Sequence, residues 1–242
     1  MRIDVLGVGF DNLAMDEALA AGMEHIRRRS RAIVVTPNPE IVMAAREDPE
    51  LRELLQRAEL VLPDGIGILY GARLLGKPLR EKLPGIDFAD QLMARLAKEG
   101  GSAFLLGAKP GVAEQAARNL ERKHPGLKIA GTHHGYFQED SPIVAAINAA
   151  KPDLLLVCLG CPKQEKWMFC HKGELDVGLM AGLGGSLDVF AGVVRRAPPA
   201  FQKLGLEWFY RLCREPKRIG RMMKLPAFLA LVCTQKAHAR EK

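Results

Sequence analysis

The chain has 242 residues, 48% of them apolar and 26% charged, which suits one large packed domain and excludes a disordered chain. No uncharged apolar run reaches the roughly 18 residues that a membrane-spanning helix needs, and the opening MRIDVLGVGF lacks the apolar core and cleavage site of a signal peptide. The net charge of +7 is uneven: residues 195–242 hold 12 Lys/Arg against 3 Asp/Glu, so a basic tail follows a nearly neutral body.

In chain order, residues 3–6 read as a strand and 15–29 as an amphipathic helix. Strands follow at 32–36 and 60–62, a helix at 88–98, a strand at 103–106 and a helix at 112–124. A strand at 128–131, a helix at 143–149 and strands at 154–159 and 177–181 complete the series. Continuous apolar strands separated by helices of this length indicate a parallel sheet covered on both faces. The expected fold is therefore α/β: a Rossmann-like, mostly parallel sheet sandwiched by helices. Residues 1–194 would form this core, and 195–242 a C-terminal basic helical appendage.

Sheets of this kind bind ligands at the carboxyl ends of their strands, so the residues after each strand are the ones to read. Thr36 and Asn38 flank Pro37. Asn38 fits the N-cap of a helix beginning at Pro39, and the same two side chains could present a hydroxyl and an amide to a sugar. Asp64, between Pro63 and Gly65, fits either an Asx-turn or a general base fixed at the sheet edge. Gly107 opens one glycine turn, and Gly184 and Gly185 belong to another; either could lend backbone amides to a phosphate. Gln164 lies in the first turn of a helix after Pro162, and Asp188 could meet a ribose or a base.

Several chemistries lack their signatures. There is no GxGxxG with an acidic residue about 20 positions on, which weighs against a nicotinamide-dependent oxidoreductase. There is no Asp-x-Asp to clamp a metal–nucleotide sugar complex, so charge neutralisation by arginines is expected, with neither metal nor other cofactor. Cys158 and Cys161 form a CxxC pair, but neither a second ligand pair nor a disulfide framework accompanies the five cysteines. Small residues filling a tight turn account for the pair better than redox or zinc chemistry does.

In the tail, Phe201, Leu204, Trp208 and Leu212 recur at helical spacing. Arg211 and Arg214 precede the Glu215-Pro216 break, and Arg218 and Arg221 follow it. Basic helices with aromatic residues suit the headgroup layer of an anionic membrane. Nucleic acid would also match the charge, but no nucleic-acid-binding motif accompanies it.

Read together, seven stretches resemble the WecG/TagA/CpsF glycosyltransferases across essentially the whole chain. They are TPNPEIV at 36–42, LPDGIGI at 62–68, LPGIDF at 83–88, LGCPKQEKW at 159–167, GLGGSLDVFAG at 182–192, RRAP at 195–198 and GLEWFYRLCREPKR at 205–218. Within the family the likeness is to the TagA type. That resemblance implies an inverting transfer of N-acetylmannosamine from a UDP-sugar donor to undecaprenyl-diphosphate-linked GlcNAc, giving a β-1,4 linkage in teichoic acid or related polysaccharide synthesis. Donors such as UDP-N-acetylmannosaminuronate, UDP-glucose or UDP-glucuronate would use the same scaffold. The resemblance further implies Asp64 and Thr36 as catalytic, Asn38 and Gln164 in the donor pocket, Tyr136 and Asp188 on the uridine side, and Arg211, Arg218 and Arg221 closing over the site. Cys161 stands where small residues such as alanine or serine are usual. The expected location is cytoplasmic, peripheral on the inner face of the cell membrane. A core whose tail is displaced would expose apolar surface, which leaves a homo-oligomer open.

Overall fold

The computed structural model describes residues 1–214 and 224–240. Strands β1 (Arg2–Val5) and β2 (Val8–Asp11) open the chain and are followed by helix α1 (Met15–Arg27), strand β3 (Ala32–Val35), helices α2 (Pro39–Glu47) and α3 (Pro49–Arg57), and strand β4 (Leu60–Val61). Next come helices α4 (Ile66–Leu74) and α5 (Gly85–Lys98), strand β5 (Ser102–Gly107), helix α6 (Val112–Lys123), strand β6 (Lys128–His133) and helix α7 (Ser141–Ala150). Strand β7 (Leu154–Cys158), helix α8 (Lys163–His171), strand β8 (Leu179–Gly182) and the short helix α9 (Ser186–Phe190) complete the body. Beyond it lie α10 (Pro199–Lys203), α11 (Glu207–Arg214) and α12 (Lys224–Arg240).

Six strands form one sheet in the order β4-β3-β8-β7-β5-β6, and every neighbouring pair is parallel. Successive residues of a strand point to opposite faces, and here both faces are apolar. Ile33 and Val35 of β3, Phe104 and Leu106 of β5, and Leu155 and Val157 of β7 belong to one buried cluster. Ala32, Val34, Ala103, Leu105, Leu154 and Leu156 belong to the other. Helices therefore cover both sides, as the unbroken apolar runs predict.

The first strand departs from expectation. Instead of joining the parallel sheet, β1 pairs antiparallel with β2 in a separate two-stranded sheet. The turn puts Leu6 at φ 55 and Gly7 at φ 88, the two positive values that a type I′ hairpin turn requires. Asp11 of this hairpin accepts a hydrogen bond from the Val61 amide at 2.8 Å, so the hairpin docks at β4, the edge strand of the parallel sheet.

The basic C-terminal segment is joined to the body through packing. Helix α4 carries Gly67 and Gly71 one turn apart, and α12 lies in the groove they leave. A Cβ at Gly67 would come within 2.7 Å of Leu225, and one at Gly71 within 2.9 Å of Phe228. Phe228 and Val232 are fully buried in the same cluster as Val5 and Ile68. The mixture of cations and apolar residues in α12 thus includes two core residues, besides any that face an anionic surface. Among the described residues no helix is long and apolar enough to cross a membrane.

Phe228→Ala should lower the free energy of unfolding by about 3–5 kcal/mol, the usual range for emptying a buried aromatic site. Urea denaturation measures this; a loss below about 1 kcal/mol would show that α12 is not seated in the core.

Candidate active site

The register of the sheet decides what meets at its carboxyl edge. Val35 of β3 stands opposite Val61 of β4 on one side and Gly182 of β8 on the other. The three strands end level, and the residues after them emerge side by side. They surround a cavity of about 360 Å³ lined by Thr36, Asn38, Asp64, Gln164, Gly184, Gly185 and Asp188. Seven of the residues singled out in the sequence are therefore brought into one site.

Each is held by local structure. The Thr36 hydroxyl donates to the Gly182 carbonyl at 3.4 Å, tying β3 to β8 at the cavity floor. Gly85, the first residue of α5, approaches this threonine so closely that a Cβ there would lie 2.7 Å from Thr36 Oγ1. Asn38 caps α2: its Oδ1 accepts the Ile41 amide at 3.0 Å, and Pro39 occupies the first helical position. The cap reading holds, and the capping residue also lines the cavity. Asp64 directly precedes Gly65, whose φ of 89° at the N-cap of α4 suits glycine. The Asp64 amide donates to the Pro37 carbonyl at 3.3 Å, which links the two strand-end loops.

Gln164 is buried, with both ends of its amide engaged. Its Oε1 accepts the Gly184 amide at 2.9 Å, and its Nε2 donates to Glu165 Oε1 at 2.9 Å. Gly184 has φ +53° and Gly185 follows it into α9. Asp188 Oδ2 would lie 3.7 Å from a Cβ at Gly185, so this carboxylate faces the same turn.

Two expected residues lie elsewhere. Tyr136 is 67% exposed and lines a second cavity, with Ala108, Gly135, Phe137, Cys158, Leu159 and Lys163 among its neighbours. There the Lys163 ammonium sits 4.8 Å from the Phe137 ring centroid. Gly107 serves close packing, since a Cβ on it would come within 2.3 Å of the Cys158 carbonyl oxygen. Arg211 belongs to α11, but its side chain is outside the described residues, as are Arg218 and Arg221 entirely.

Two further cations stand at the rim, Arg196 from the RRAP stretch at 195–198 and Lys82 just before the LPGIDF stretch at 83–88. Lys82 and Arg196 line the cavity. Arg196 makes a two-pronged ion pair with Asp87, with Nη2 to Oδ2 at 2.7 Å, and its Nε contacts Glu207 at 3.3 Å. Lys82 lies 3.6 Å from Glu207 and donates to the Gln202 carbonyl at 2.9 Å. Two cations from distant parts of the chain thus meet over the site, and Glu207 joins both to α11. Trp208 and Leu225 complete this wall.

The CxxC pair carries no thiolate. Burial pushes Cys158 up to about 12, and burial with the neighbouring Glu165 carboxyl pushes Cys161 up as well. All five cysteines are free. Among the described residues no group of three or more His, Cys, Asp or Glu side chains is placed to hold a metal ion.

The model of the glycosyl transferase WecG/TagA/CpsF family matches residues 3–242. Two N-acetylglucosaminyldiphosphoundecaprenol N-acetyl-beta-D-mannosaminyltransferases, from Staphylococcus aureus strains MW2 and NCTC 8325, are each 37% identical to the chain over 238 residues. The match covers 97% of this chain and 93% of each relative.

Because Cys158 holds its proton up to about 12 when folded and an unfolded thiol releases it near 8.5, the unfolded state binds fewer protons in between. Stability from this site is complete below about pH 8.5 and falls as pH rises through that window. Iodoacetamide at pH 8 should therefore modify the exposed Cys170, Cys213 and Cys233 well before Cys158. Peptide mass mapping that finds Cys158 labelled first in the native protein would contradict this.

Proposed function

We propose, for a chain that belongs to the glycosyl transferase WecG/TagA/CpsF family, that the cavity at the ends of β3, β4 and β8 transfers N-acetylmannosamine from UDP to undecaprenyl-diphosphate-linked GlcNAc. The observation that carries this reading is the convergence of Asp64, Thr36 and Asn38 with the Gly184-Gly185 turn and with Lys82 and Arg196 in one cavity. The relatives' names supply the sugar and the acceptor.

In this reading the Asp64 carboxylate takes the proton of the acceptor hydroxyl. The freed oxygen attacks the anomeric carbon, and the bond from that carbon to the diphosphate breaks. UDP leaves with the bonding electron pair, and attack from the opposite face inverts the centre to give a β linkage. Thr36 and Asn38 hold the reacting sugar. Lys82 and Arg196, together with Arg211, Arg218 and Arg221 of the basic segment, offset the charge gathering on the departing diphosphate, with no metal required. The nucleoside would extend past Asp188 towards Tyr136, whose exposed ring suits stacking against a base. A positioned base supplies roughly 10²–10⁴-fold; most of the remaining acceleration falls to positioning and charge stabilisation.

The acceptor's lipid sets the location. Val193, Leu204, Leu206 and Phe209 are exposed apolar residues, and their neighbours Val194, Gly205 and Trp208 line the cavity. An apolar surface beside the mouth, set in a basic segment, suits an enzyme lying on the anionic inner face of the membrane, where a polyprenyl chain would deliver its sugar.

Asp64→Asn should keep the fold and lower kcat by roughly 10²–10⁴-fold, measured with a short-chain polyprenyl-diphosphate-GlcNAc; turnover near wild type would overturn the base assignment. In a panel of UDP sugars, UDP-N-acetylmannosamine should give the product mass of one added N-acetylhexosamine. A product formed from UDP-glucose or a UDP-uronate instead would reassign the donor. EDTA should leave the rate unchanged; a loss restored by Mg²⁺ or Mn²⁺ would contradict a metal-free transfer.

A further inference from the structure

Glu165 is the most deeply buried carboxyl beside the cavity, and the transfer just described gives it no task. It is 1% exposed, at the third position of α8. One oxygen, Oε1, accepts the Gln164 amide at 2.9 Å. The other, Oε2, is buried and has no hydrogen-bond partner among the described residues. The Cys161 thiol lies beside the carboxyl, and burial pushes Glu165 above the usual carboxylate range. Burying such a group costs stability unless a neighbour uses it, and the neighbour here is the amide of Gln164.

We propose that Glu165 is a positioning residue, one that fixes which end of the Gln164 amide meets the 182–185 turn and so builds the donor wall of the cavity. An amide can turn over, exchanging its oxygen and nitrogen. In this arrangement Glu165 Oε1 accepts from Gln164 whether the carboxyl is ionised or carries a proton on Oε2, the oxygen without a partner among the described residues. It therefore captures the NH₂ end of Gln164 and leaves the carbonyl oxygen for the Gly184 amide, 2.9 Å away. With the amide reversed, two N–H donors would face each other at Gly184, and the turn could not keep its present place against Gln164. A Cβ at Gly182 would lie 3.0 Å from Gln164 Nε2, so the end of β8 packs closely against this amide.

The chain Glu165–Gln164–Gly184 thus reaches from the interior to the cavity lining without Glu165 touching substrate. Its effect on turnover rests on the cavity being the donor site; its effect on the turn does not.

Three variants and two readouts test the proposal. Glu165→Gln keeps an acceptor, Glu165→Met keeps the shape without one, and Glu165→Ala replaces the Met variant if that side chain is not accommodated. Amide hydrogen exchange at Gly184 should quicken roughly tenfold in the Met or Ala variant, the scale of one lost hydrogen bond, and stay near wild type in the Gln variant. The KM for the UDP-sugar should rise by a similar factor while the acceptor KM holds. In a Gln164→Ala background the same change at 165 should add nothing, because Glu165 acts through Gln164. Unchanged exchange at Gly184 in the variant lacking an acceptor would overturn the proposal, as would full additivity with Gln164→Ala. A wild-type protein that turns over no UDP-sugar would instead remove the transferase reading and leave the exchange result to decide the role of Glu165.

Discussion

The level ending of three parallel strands is the constraint on which the site depends. Hydrogen bonding between β3, β4 and β8 sets Val35, Val61 and Gly182 side by side, and the loops that leave those strand ends are forced to share one edge. A shift of register along β8 would carry the 182–185 turn away from Thr36 and Asn38, although no residue in the cavity had changed. Buried apolar side chains on both faces fix that register, because a strand slipped by one residue would exchange its two faces. The lining of the cavity is in this sense a consequence of packing beneath it.

The same packing links the basic segment to the cavity. Helix α4 begins two residues after Asp64, and its glycines at 67 and 71 receive Leu225 and Phe228 of α12. Arg196 and Lys82 meet at Glu207 from the other side. The segment is therefore bound to the body both by an apolar groove and by an ion cluster at the cavity rim. Surface ion pairs contribute little stability in general; these partly buried ones matter chiefly for bringing two cations to the place where a diphosphate would gather charge.

Much of this was legible in the sequence because it depends on local pattern. Four-residue and longer apolar runs marked β3, β5 and β7, and the strand-end rule then pointed to Thr36, Asn38, Asp64, Gln164, Gly184, Gly185 and Asp188. The Asn38 cap was readable from the Asn38-Pro39 pair. Other features depend on partners far along the chain. Arg196 belongs to the RRAP stretch and Lys82 directly precedes LPGIDF, but no local pattern places either side chain at the cavity, since their shared partner Glu207 is supplied by a separate helix. The hairpin of β1 and β2 was hidden because a single short apolar strand does not reveal whether its neighbour is parallel. Phe228 lies in the basic segment with no local sign that it is buried; the space for it is left by Gly71 of α4. Glu165 stands between Gln164 and Lys166 in a charged stretch, and only the fold turns it inward against the amide of Gln164.

Central to the proposed transfer is the placement of a nucleotide-sugar's diphosphate over the 182–185 turn, between Asp64 and the Lys82–Arg196 pair. A crystal structure of the protein with UDP tests it most directly. The diphosphate should occupy the cavity lined by Asn38, Gly184 and Gly185, with the uracil on the Asp188 side towards Tyr136. UDP bound away from the ends of β3, β4 and β8, with that cavity unfilled, would contradict this placement.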